Sequence, residues 1–538
     1  MNSMKKYIKQ FKKGSGILFI LFMSSFALLS LFAWFMSYQL GYATAYNDAM
    51  AHMNISRFVV DNMQPGFTQL GGVWLPMTHI LPLLLVWNDW AWHSGFAGSL
   101  FSMISYGLSI WSIFHIIRLI SKNTIMAVIG SAIFALNLNM LYLQTTPLTE
   151  PMYIALFLLS SLFFIKYVLQ NKVEYLVYLG FFSLLQVLTR YDGWFVAVAT
   201  IFLLTYHELF VRKTVIKNIL GKVLIVAIPI TFGISMWLLW NLLIFDNPLY
   251  FAVGPNSAHA QQDYIQQNTG LITKYNALNS LKAYWFAFID NVGFYLTLAS
   301  FIGMGYFLLG KNIIRSLNKK LVIIAFLSLP IIFNVISLFL GFSILNVPSL
   351  GWNPSNDPSG FWFNVRYGIF ALPFVAIFAG MLSFRKTVGA FVVMLLVVQT
   401  YIISQQGIIT LIDGTVGSSS FKNNDIAQEL KHRVAPDEKV MMATSYFSPV
   451  SFTSEIPLQQ IVHEGIHNTW DYAIVYPENY DVTWIVVANG NVGDPIYTSL
   501  VENQKNRFLA LYTLVYEGEH AHLYKRNEVP ATAVSLKK

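Results

Sequence analysis

The residues best suited to chemistry lie in one short stretch, "AYNDAMAHMNISRFVVDNMQPGFTQLGGVWLPMTHILP", at positions 45–82. Asp48 and His52 are four residues apart, so in a helix both side chains project from the same face. Arg57 follows Asp48 by nine residues, which is about half a turn out of phase. Asp48 could therefore act as a general base or hold a metal ion with His52, whereas Arg57 could not join that pair in an unbroken helix.

The same stretch also has purely structural explanations. Asp48 and His52 could form a surface salt link, Trp74 could anchor the chain at a membrane interface, and His79 could be a hydrogen-bonded structural residue. Two residues at helical spacing do not dictate a third metal ligand, so a divalent metal at Asp48 and His52 stays a hypothesis. As substrate contacts we predict His52, Arg57, Trp74 and His79.

The elements that must position these residues are membrane helices. Of 538 residues, 55% are hydrophobic and only 11% are charged, and the mean hydropathy is +0.54. This composition is too apolar for an ordinary soluble domain and predicts a polytopic α-helical membrane protein. Runs near the roughly 20 residues that cross a bilayer predict about eleven transmembrane helices, at 17–38, 95–117, 124–143, 151–168, 174–190, 193–210, 223–245, 286–309, 321–343, 365–383 and 388–405.

Lysine and arginine set the expected orientation. They concentrate in alternate loops, which are expected to face the cytoplasm, and include Lys5, Arg118, Arg212, Lys222, Arg315 and Arg385. We therefore predict a multi-pass plasma-membrane protein with a cytoplasmic N-terminus. The formal charge of +8 then reflects topology and attraction to membrane lipids, and no nucleic-acid partner is expected. The absence of cysteine excludes disulfides and thiolate metal sites.

The chain changes character after the short, flexible-looking segment "GTVGSSS" at 414–420. Apolar runs shrink to strand length and alternate with amphipathic segments, as in "NDIAQELKHRV", "EKVMMAT" and "VTWIVVA". We predict a transmembrane domain over 1–410, with a large first external loop at 39–94, and an extracytoplasmic α/β domain over 421–538. The second domain is expected to recognise a partner or cover the catalytic face.

Two arginines next to predicted spans suit phosphate binding, and a glutamate next to a third span suits a positioning role. Arg190 in "TRYDG" and Arg366 in "NVRYG" lie in outward segments, and a guanidinium can hold two phosphate oxygens at once. Glu150 in "TPLTEP" could orient an acceptor or a loop. The competing explanations are interfacial snorkelling, an ion pair between Arg190 and Asp192, and a favourable acid at the start of a helix for Glu150.

Taken in order, these motifs resemble those of the GT-C membrane glycosyltransferases, relatives of the protein O-mannosyltransferases and the aminoarabinose transferases that modify lipid A. The resemblance rests on an acid after the first span, "QLGGVWLPMTHILP", "TPLTEPMYIALF", "LTRYDGWFVAVA", "NVRYGIFALPFVAI" and an outward C-terminal α/β domain. It implies transfer of a sugar from a polyprenyl-phosphate carrier to an envelope lipid, glycan or protein acceptor on the outer face. By position, Asp48 is then the general base. The protein O-mannosyltransferases have an Asp-Glu pair there, where this chain has Asp48 followed by Ala49.

Such a reaction needs few catalytic groups. A lipid phosphate leaves as a weakly basic anion, so the main requirement is a base for the acceptor hydroxyl, unlike the paired carboxyls of glycoside hydrolases. Fixed positive charge near the departing phosphate would supply the rest.

Two other function classes also fit a chain with many spans. A lipid or sugar transporter or flippase would place its site at the membrane midplane, with interrupted helices and intramembrane charge. A noncatalytic envelope scaffold would present the C-terminal domain and need no acid in the first loop. The gathering of ionisable residues at the predicted membrane boundaries favours the glycosyltransferase.

Overall fold

The computed structural model describes residues 2–254, 257–310, 314–353, 361–417, 424–466, 468–490 and 493–527, and side chains from residue 19 onward. The predicted flexible segment at 414–420 lies partly outside these residues, as do 421–423 and 528–538 of the predicted C-terminal domain.

Helices dominate the first three quarters of the chain. They are α1 (Asn2–Gln39), α2 (Asn47–Phe58), α3 (Met77–Ile80), α4 (Asp89–His93), α5 (Phe96–Ser121), α6 (Thr124–Ala135), α7 (Leu138–Leu143), α8 (Thr149–Gln170), α9 (Glu174–Val187), α10 (Asp192–Tyr206), α11 (Ile216–Phe245), α12 (Tyr250–Val253), α13 (Ala258–Asn268), α14 (Ala277–Val292), α15 (Phe294–Leu309), α16 (Leu317–Leu327), α17 (Leu329–Leu340), α18 (Leu372–Met381), α19 (Lys386–Gln406) and α20 (Ile409–Ile412). A π-turn over His207–Val211 extends α10, and a 3-10 turn over Val365–Ala371 precedes α18.

Six helices of the described part are long and apolar enough to cross a membrane. The number rises to eight if each of two bent pairs, α14 with α15 (103°) and α16 with α17 (52°), is one span. Three further predicted runs form shorter apolar helices, at 124–135, 174–187 and 365–381. The predicted apolar runs are thus largely helical, and the chain is an integral membrane protein, but the count of about eleven full spans is not confirmed.

The chain forms two compact units, and their composition is not that of the predicted domains. The helical unit contains residues 1–43, 72–78 and 98–418. The α/β unit contains residues 44–71, 79–97 and 419–538. Most of the predicted first external loop, 39–94, therefore folds with the C-terminal residues, whereas the sequence division had counted it with the transmembrane domain.

Glycines allow close helix packing in the helical unit. A side chain at Gly380 would lie 2.6 Å from the Cα of Gly130, so α6 and α18 approach without side chains between them. Gly303 on α15 packs against the backbone carbonyl of Phe378 in the same way. Small residues at such contacts let membrane helices gain van der Waals packing. Helix α18 is buried along its whole length and is the centre of this unit.

The α/β unit contains a five-stranded mixed sheet in the order β2-β1-β3-β5-β4. Its strands are β1 (Lys439–Met441), β2 (Ile461–Val462), β3 (Val482–Ala488), β4 (Tyr512–Glu517) and β5 (Ala521–Arg526). The helices of its C-terminal segment are α21 (Asn424–Arg433), α22 (Ser448–Thr453), α23 (Asn468–Ala473) and α24 (Lys505–Leu511). Strands β2, β1 and β3 are parallel, and β5 pairs antiparallel with β3 and β4. The continuous apolar sequence of β3 fits its central, buried place in this sheet.

Helix α2 belongs to the core of that sheet unit. Its Met50, Met53 and Phe58 share one hydrophobic cluster with Trp484 and Val486 of β3. The apolar residues of α2 recur at helical spacing and are buried. The helix that carries Asp48 is therefore packed on the sheet that the C-terminal part of the chain forms.

Candidate active site

Three of the predicted residues meet in the helical unit. Glu150 lies in the first turn of α8 and Arg190 in the turn that joins α9 to α10. The Nη1 of Arg190 donates hydrogen bonds to Glu150 Oε1 at 3.2 Å and to Thr149 Oγ1 at 2.8 Å. Its Nε and Nη2 donate to the two carboxylate oxygens of Asp192 at 3.2 and 3.4 Å. Arg190 thus connects the starts of two membrane helices.

Arg366 reaches the same carboxylate from the 3-10 turn before α18. Its Nε donates to Glu150 Oε1 at 3.1 Å, and its Nη1 lies 3.8 Å from Asp413 Oδ2. Glu150 is 1% exposed and Arg366 4% exposed. One buried carboxylate oxygen therefore accepts from both arginines, and it fixes the position of the two guanidinium groups relative to each other.

The neighbouring carboxylates keep the buried Arg190 charged. Burial alone would lower the pKa of Arg190, but the adjacent carboxylates of Asp192 and Glu150 outweigh it and raise that pKa. The guanidinium also lies over the rings of Phe370 and Tyr367, 5.0 and 5.3 Å from their centres. The cluster therefore holds two fixed guanidinium groups, those of Arg190 and Arg366, among the carboxylates of Glu150, Asp192 and Asp413.

Residues 72–77 of the predicted motif, "GVWLPM", pack on the segment that carries Arg190. The hydroxyl of Tyr191 donates to the carbonyl of Val73 at 2.7 Å, and the Met77 N–H donates to the carbonyl of Leu188 at 3.1 Å. Trp74 between these contacts is 37% exposed. The two motifs thus form one substructure of the helical unit, and the exposed ring of Trp74 keeps its predicted role as a substrate contact open.

In the α/β unit, Asp48 lies in the first turn of α2. Its neighbours Tyr46, Ala49 and Met50 are fully buried, whereas Asp48 is partly exposed. A carboxylate held on a packed helix and open to solvent on one side can accept a proton from a bound hydroxyl. This geometry is compatible with the predicted role as a base.

Asn54 holds α2 against α22. Its Nδ2 donates to the Oγ of Ser451 at 2.9 Å and to the carbonyl of Ser448 at 3.0 Å. Asn54 is 1% exposed, so these hydrogen bonds are shielded from water. They attach the helix of Asp48 to a segment about 400 residues later in the chain.

The two predicted histidines form a buried pair. His52 Nδ1 and His79 Nε2 are 2.9 Å apart, and both side chains are almost fully buried. Burial, and then the proximity of His52, lower the pKa of His79 well below its usual value. His79 is therefore neutral at pH 7, and its contact with His52 helps to hold α2 in place.

The hypothetical metal site gains no further ligand. Among the residues whose side chains are described, no group of three histidine, aspartate or glutamate side chains is placed to hold a metal ion. Asp48 and His52 are thus two possible ligands at helical spacing, without a third among these residues.

Arg57 is occupied by structural contacts. It donates to Asp61 at 3.0 Å, to the carbonyl of Val86 at 2.6 Å and to Asp89 at 2.7 Å. Its guanidinium also lies 4.8 Å from the ring centre of Trp92. These contacts close the first loop on itself, and they use the groups with which Arg57 was predicted to bind substrate.

Sequence reasoning missed several residues of these clusters. Asp413 and Asn54 lie far in sequence from the groups they contact, and neither stands in a recognisable motif. Asp192 was noted only as a local partner of Arg190. For Asn54 the available signal was its spacing of four residues from both Met50 and Phe58, which places it on the same helix face as two apolar residues.

Known proteins resemble this chain in structure but not detectably in sequence. No protein-family model and no curated protein matches it. The structure is similar to that of ArnT from Cupriavidus metallidurans bound to undecaprenyl phosphate, with a TM-score of 0.54, 12% identity, and coverage of 93% of this chain and 97% of that one. It is also similar to the Archaeoglobus fulgidus oligosaccharyltransferase in complex with Zn and sulfate, with a TM-score of 0.51, 12% identity, and coverage of 93% and 72%. At this identity the likeness is one of fold.

Proposed function

Because the chain has the fold of the GT-C membrane glycosyltransferases, we propose that it transfers a sugar from a polyprenyl-phosphate carrier to an acceptor on the outer face of the membrane. The observation that carries the proposal is the likeness over nearly the whole chain to a protein bound to undecaprenyl phosphate. The sugar could be a hexose or a pentose, and the acceptor an envelope lipid, glycan or protein.

We assign the departing phosphate to the cluster of Arg190, Arg366 and Glu150. Two guanidinium groups fixed by one buried carboxylate need little reorganisation when negative charge develops near them. Low local dielectric strengthens each such interaction. Glu150 is in this view a positioning residue, because it holds both arginines and does not itself touch the phosphate.

Asp48 is assigned the role of general base. The acceptor hydroxyl attacks the anomeric carbon as Asp48 takes its proton, a new bond from carbon to the acceptor oxygen forms, and the bond from that carbon to the phosphate oxygen breaks. The lipid phosphate leaves with the electron pair. General-base help of about 10² to 10⁴-fold corresponds to about 3–5 kcal/mol of barrier. A single displacement inverts the configuration of the anomeric carbon.

The test compares Asp48→Asn with Asp437→Asn in membranes that contain the full chain. Asp437 is exposed on the same unit and provides the same change of charge. With a panel of polyprenyl-phosphate sugars and envelope extract, we expect transfer to fall about 100-fold or more in Asp48→Asn only. Transfer by Asp48→Asn at the rate of Asp437→Asn would remove the base assignment, and a product that retains the donor configuration would exclude single displacement.

Transport of a lipid or sugar is the second candidate. The bend of 103° between α14 and α15 and that of 52° between α16 and α17 are interruptions of the kind that secondary transporters have. Movement of a labelled polyprenyl-phosphate sugar across proteoliposome membranes, unaffected by Asp48→Asn and without product formation, would favour this candidate over the transferase.

A further inference from the structure

A second buried charge cluster lies at the other end of the helices that carry Glu150 and Asp192. Helix α10 and its π-turn together have 20 residues, or about 30 Å at 1.5 Å per residue, which is close to the thickness of the hydrocarbon core. Glu208 lies in that π-turn, and Tyr167 lies near the end of α8. The two clusters are thus separated by about the thickness of a membrane, and sequence places the second at the cytoplasmic side.

Glu208 is the centre of the second cluster. It is 0% exposed and accepts hydrogen bonds from Lys222 at 2.6 Å, from Tyr167 at 2.7 Å and from Thr214 at 2.8 Å. Arg212 reaches it at 3.5 Å. Each carboxylate oxygen of Glu208 thus accepts at least one short hydrogen bond. The nearest cation, Lys222, neutralises the charge of the carboxylate.

The cluster contains more positive charge than Glu208 can balance. Helix α16 packs against the π-turn, and its Lys319 interacts electrostatically with Arg212. Lys222 and Arg212 both pair with the one carboxylate of Glu208, and Lys319 adds a third cation beside Arg212. Neighbouring cations repel one another unless an anion lies between them.

A buried histidine gives a second, independent sign of a missing partner. His207 is 0% exposed, and neither of its ring nitrogens has a hydrogen-bond partner among the described residues. Buried polar atoms are nearly always paired in folded proteins. His207 opens the π-turn, a helix irregularity that often occurs at functional sites.

The surface beside these cations is apolar. Phe210, Val215, Ile216 and Leu220 expose 60% or more of their surface next to Arg212 in sequence. A ligand that satisfies both features has a negatively charged head and hydrocarbon chains. We propose that an anionic phospholipid binds here, with its phosphate between Arg212 and Lys319 and its acyl chains along the exposed residues of α11.

Lipid chemistry explains the arrangement better than a soluble anion does. Each basic residue near a membrane surface adds to the attraction for anionic lipids, and arginine can hold two phosphate oxygens at once. A soluble phosphate would gain nothing from the apolar surface. The site does not depend on the proposed transferase activity, since it lies at the opposite end of α8 and α10 from Glu150 and Arg190.

Binding of phosphatidylglycerol to the purified full-length chain tests the proposal. Native mass spectrometry in mild detergent would compare wild type, the double variant Arg212→Gln with Lys319→Gln, and the control Lys172→Gln. Lys172 is exposed, follows α8 at the same end and pairs with Glu174 at 3.7 Å. We expect saturable binding to the wild type and the control, at least a tenfold weaker affinity in the double variant, and weak binding of phosphatidylcholine to all three.

Several outcomes would overturn the proposal. These are equal phosphatidylglycerol binding by the double variant and the wild type, an equal loss in Lys172→Gln, and phosphatidylcholine binding as tight as phosphatidylglycerol binding. Inorganic phosphate that raises the melting temperature as much as the lipid would reassign the site to a soluble anion. A melting temperature of the lipid-free double variant near that of the wild type shows that the loss is not one of folding.

Discussion

Replacement of Asn54 tests whether the α/β unit holds the Asp48 helix in place. The buried Asn54 amide donates to Ser451 Oγ at 2.9 Å and to the Ser448 carbonyl at 3.0 Å. Alanine removes both hydrogen bonds and leaves their acceptors without this donor. At about 0.5–1 kcal/mol for each of the two bonds, plus about 1–2 kcal/mol for acceptors left buried, the free energy of unfolding of this unit should fall by about 2–4 kcal/mol.

Two further variants separate the contributions to this loss of unfolding free energy. Asn54→Asp keeps the size of the side chain but cannot donate, and it places a carboxylate against two oxygens. Its free energy of unfolding should therefore fall further than that of Asn54→Ala. Ser451→Ala removes one of the partners and should cost about 1 kcal/mol. Thr453→Ala is the matched control, because its hydroxyl donates to Pro449 within the same helix.

The assay is amide hydrogen exchange of residues 47–58 in the full-length chain, read by mass spectrometry. A loss of 2–4 kcal/mol corresponds to exchange that is about 30 to 1000 times faster, if α2 opens together with this unit. Unchanged protection of α2 in Asn54→Ala, or equal effects of Ser451→Ala and Thr453→Ala, would refute the role assigned to these hydrogen bonds. Glycosyl transfer should fall in the same order as protection.

Two other predictions concern buried ionisable groups. Glu150→Gln removes the charge that both arginines share, so the helical unit should lose about 3–5 kcal/mol of unfolding free energy in denaturant. Glu150→Asp keeps the charge and should lose less. Equal unfolding midpoints for Glu150→Gln and the wild type would contradict this prediction. His79 has a lowered pKa, so the unfolded chain binds its proton first as pH falls below about 6.5. Stability of the α/β unit should therefore fall from pH 7.5 to 5.5, by up to about 1.4 kcal/mol per pH unit below that value, and His79→Gln should flatten the dependence. A slope that His79→Gln leaves unchanged would assign the effect to other groups.

Hydropathy predicted where the membrane helices lie but not how they break. The run at 124–143 divides at Leu136 into α6 and α7, and the run at 286–309 bends at Gly293. A window of average hydropathy records only that a segment is apolar, whereas a bend depends on the neighbours that satisfy the freed backbone groups. At Gly293 the close approach of Gln399, whose side chain fills the space of a Cβ, is such a neighbour.

The resemblance to GT-C enzymes is confirmed at the level of fold, and the site was predictable in part. Arg190 and Asp192 are two residues apart, so their pairing could be read locally. The contact of Arg366 with Glu150 spans 216 residues, and nothing in one sequence fixes which distant charges meet. Asp48 as the base stays a prediction.

The C-terminal elements were also predicted only where the local sequence specifies them. Strands β1 and β3 fall within the predicted segments "EKVMMAT" and "VTWIVVA", and α21 coincides with "NDIAQELKHR". The two-residue strand β2 and helix α22 were not predicted, because a strand this short has no periodicity of its own. Both depend on the neighbours that they pair with or pack against.

The discontinuous α/β unit constrains the order of events during synthesis. About 330 residues separate Ala97, the end of its early segments, from Asn424, where its later helices begin. At about 5–20 residues per second, a ribosome needs roughly 15–65 s to bridge that distance. Throughout this time the apolar face of α2 lacks the sheet that covers it in the finished protein. The early segment therefore exposes apolar surface until the later segment has been made, and the Asp48 helix is among the last parts of the protein to become native.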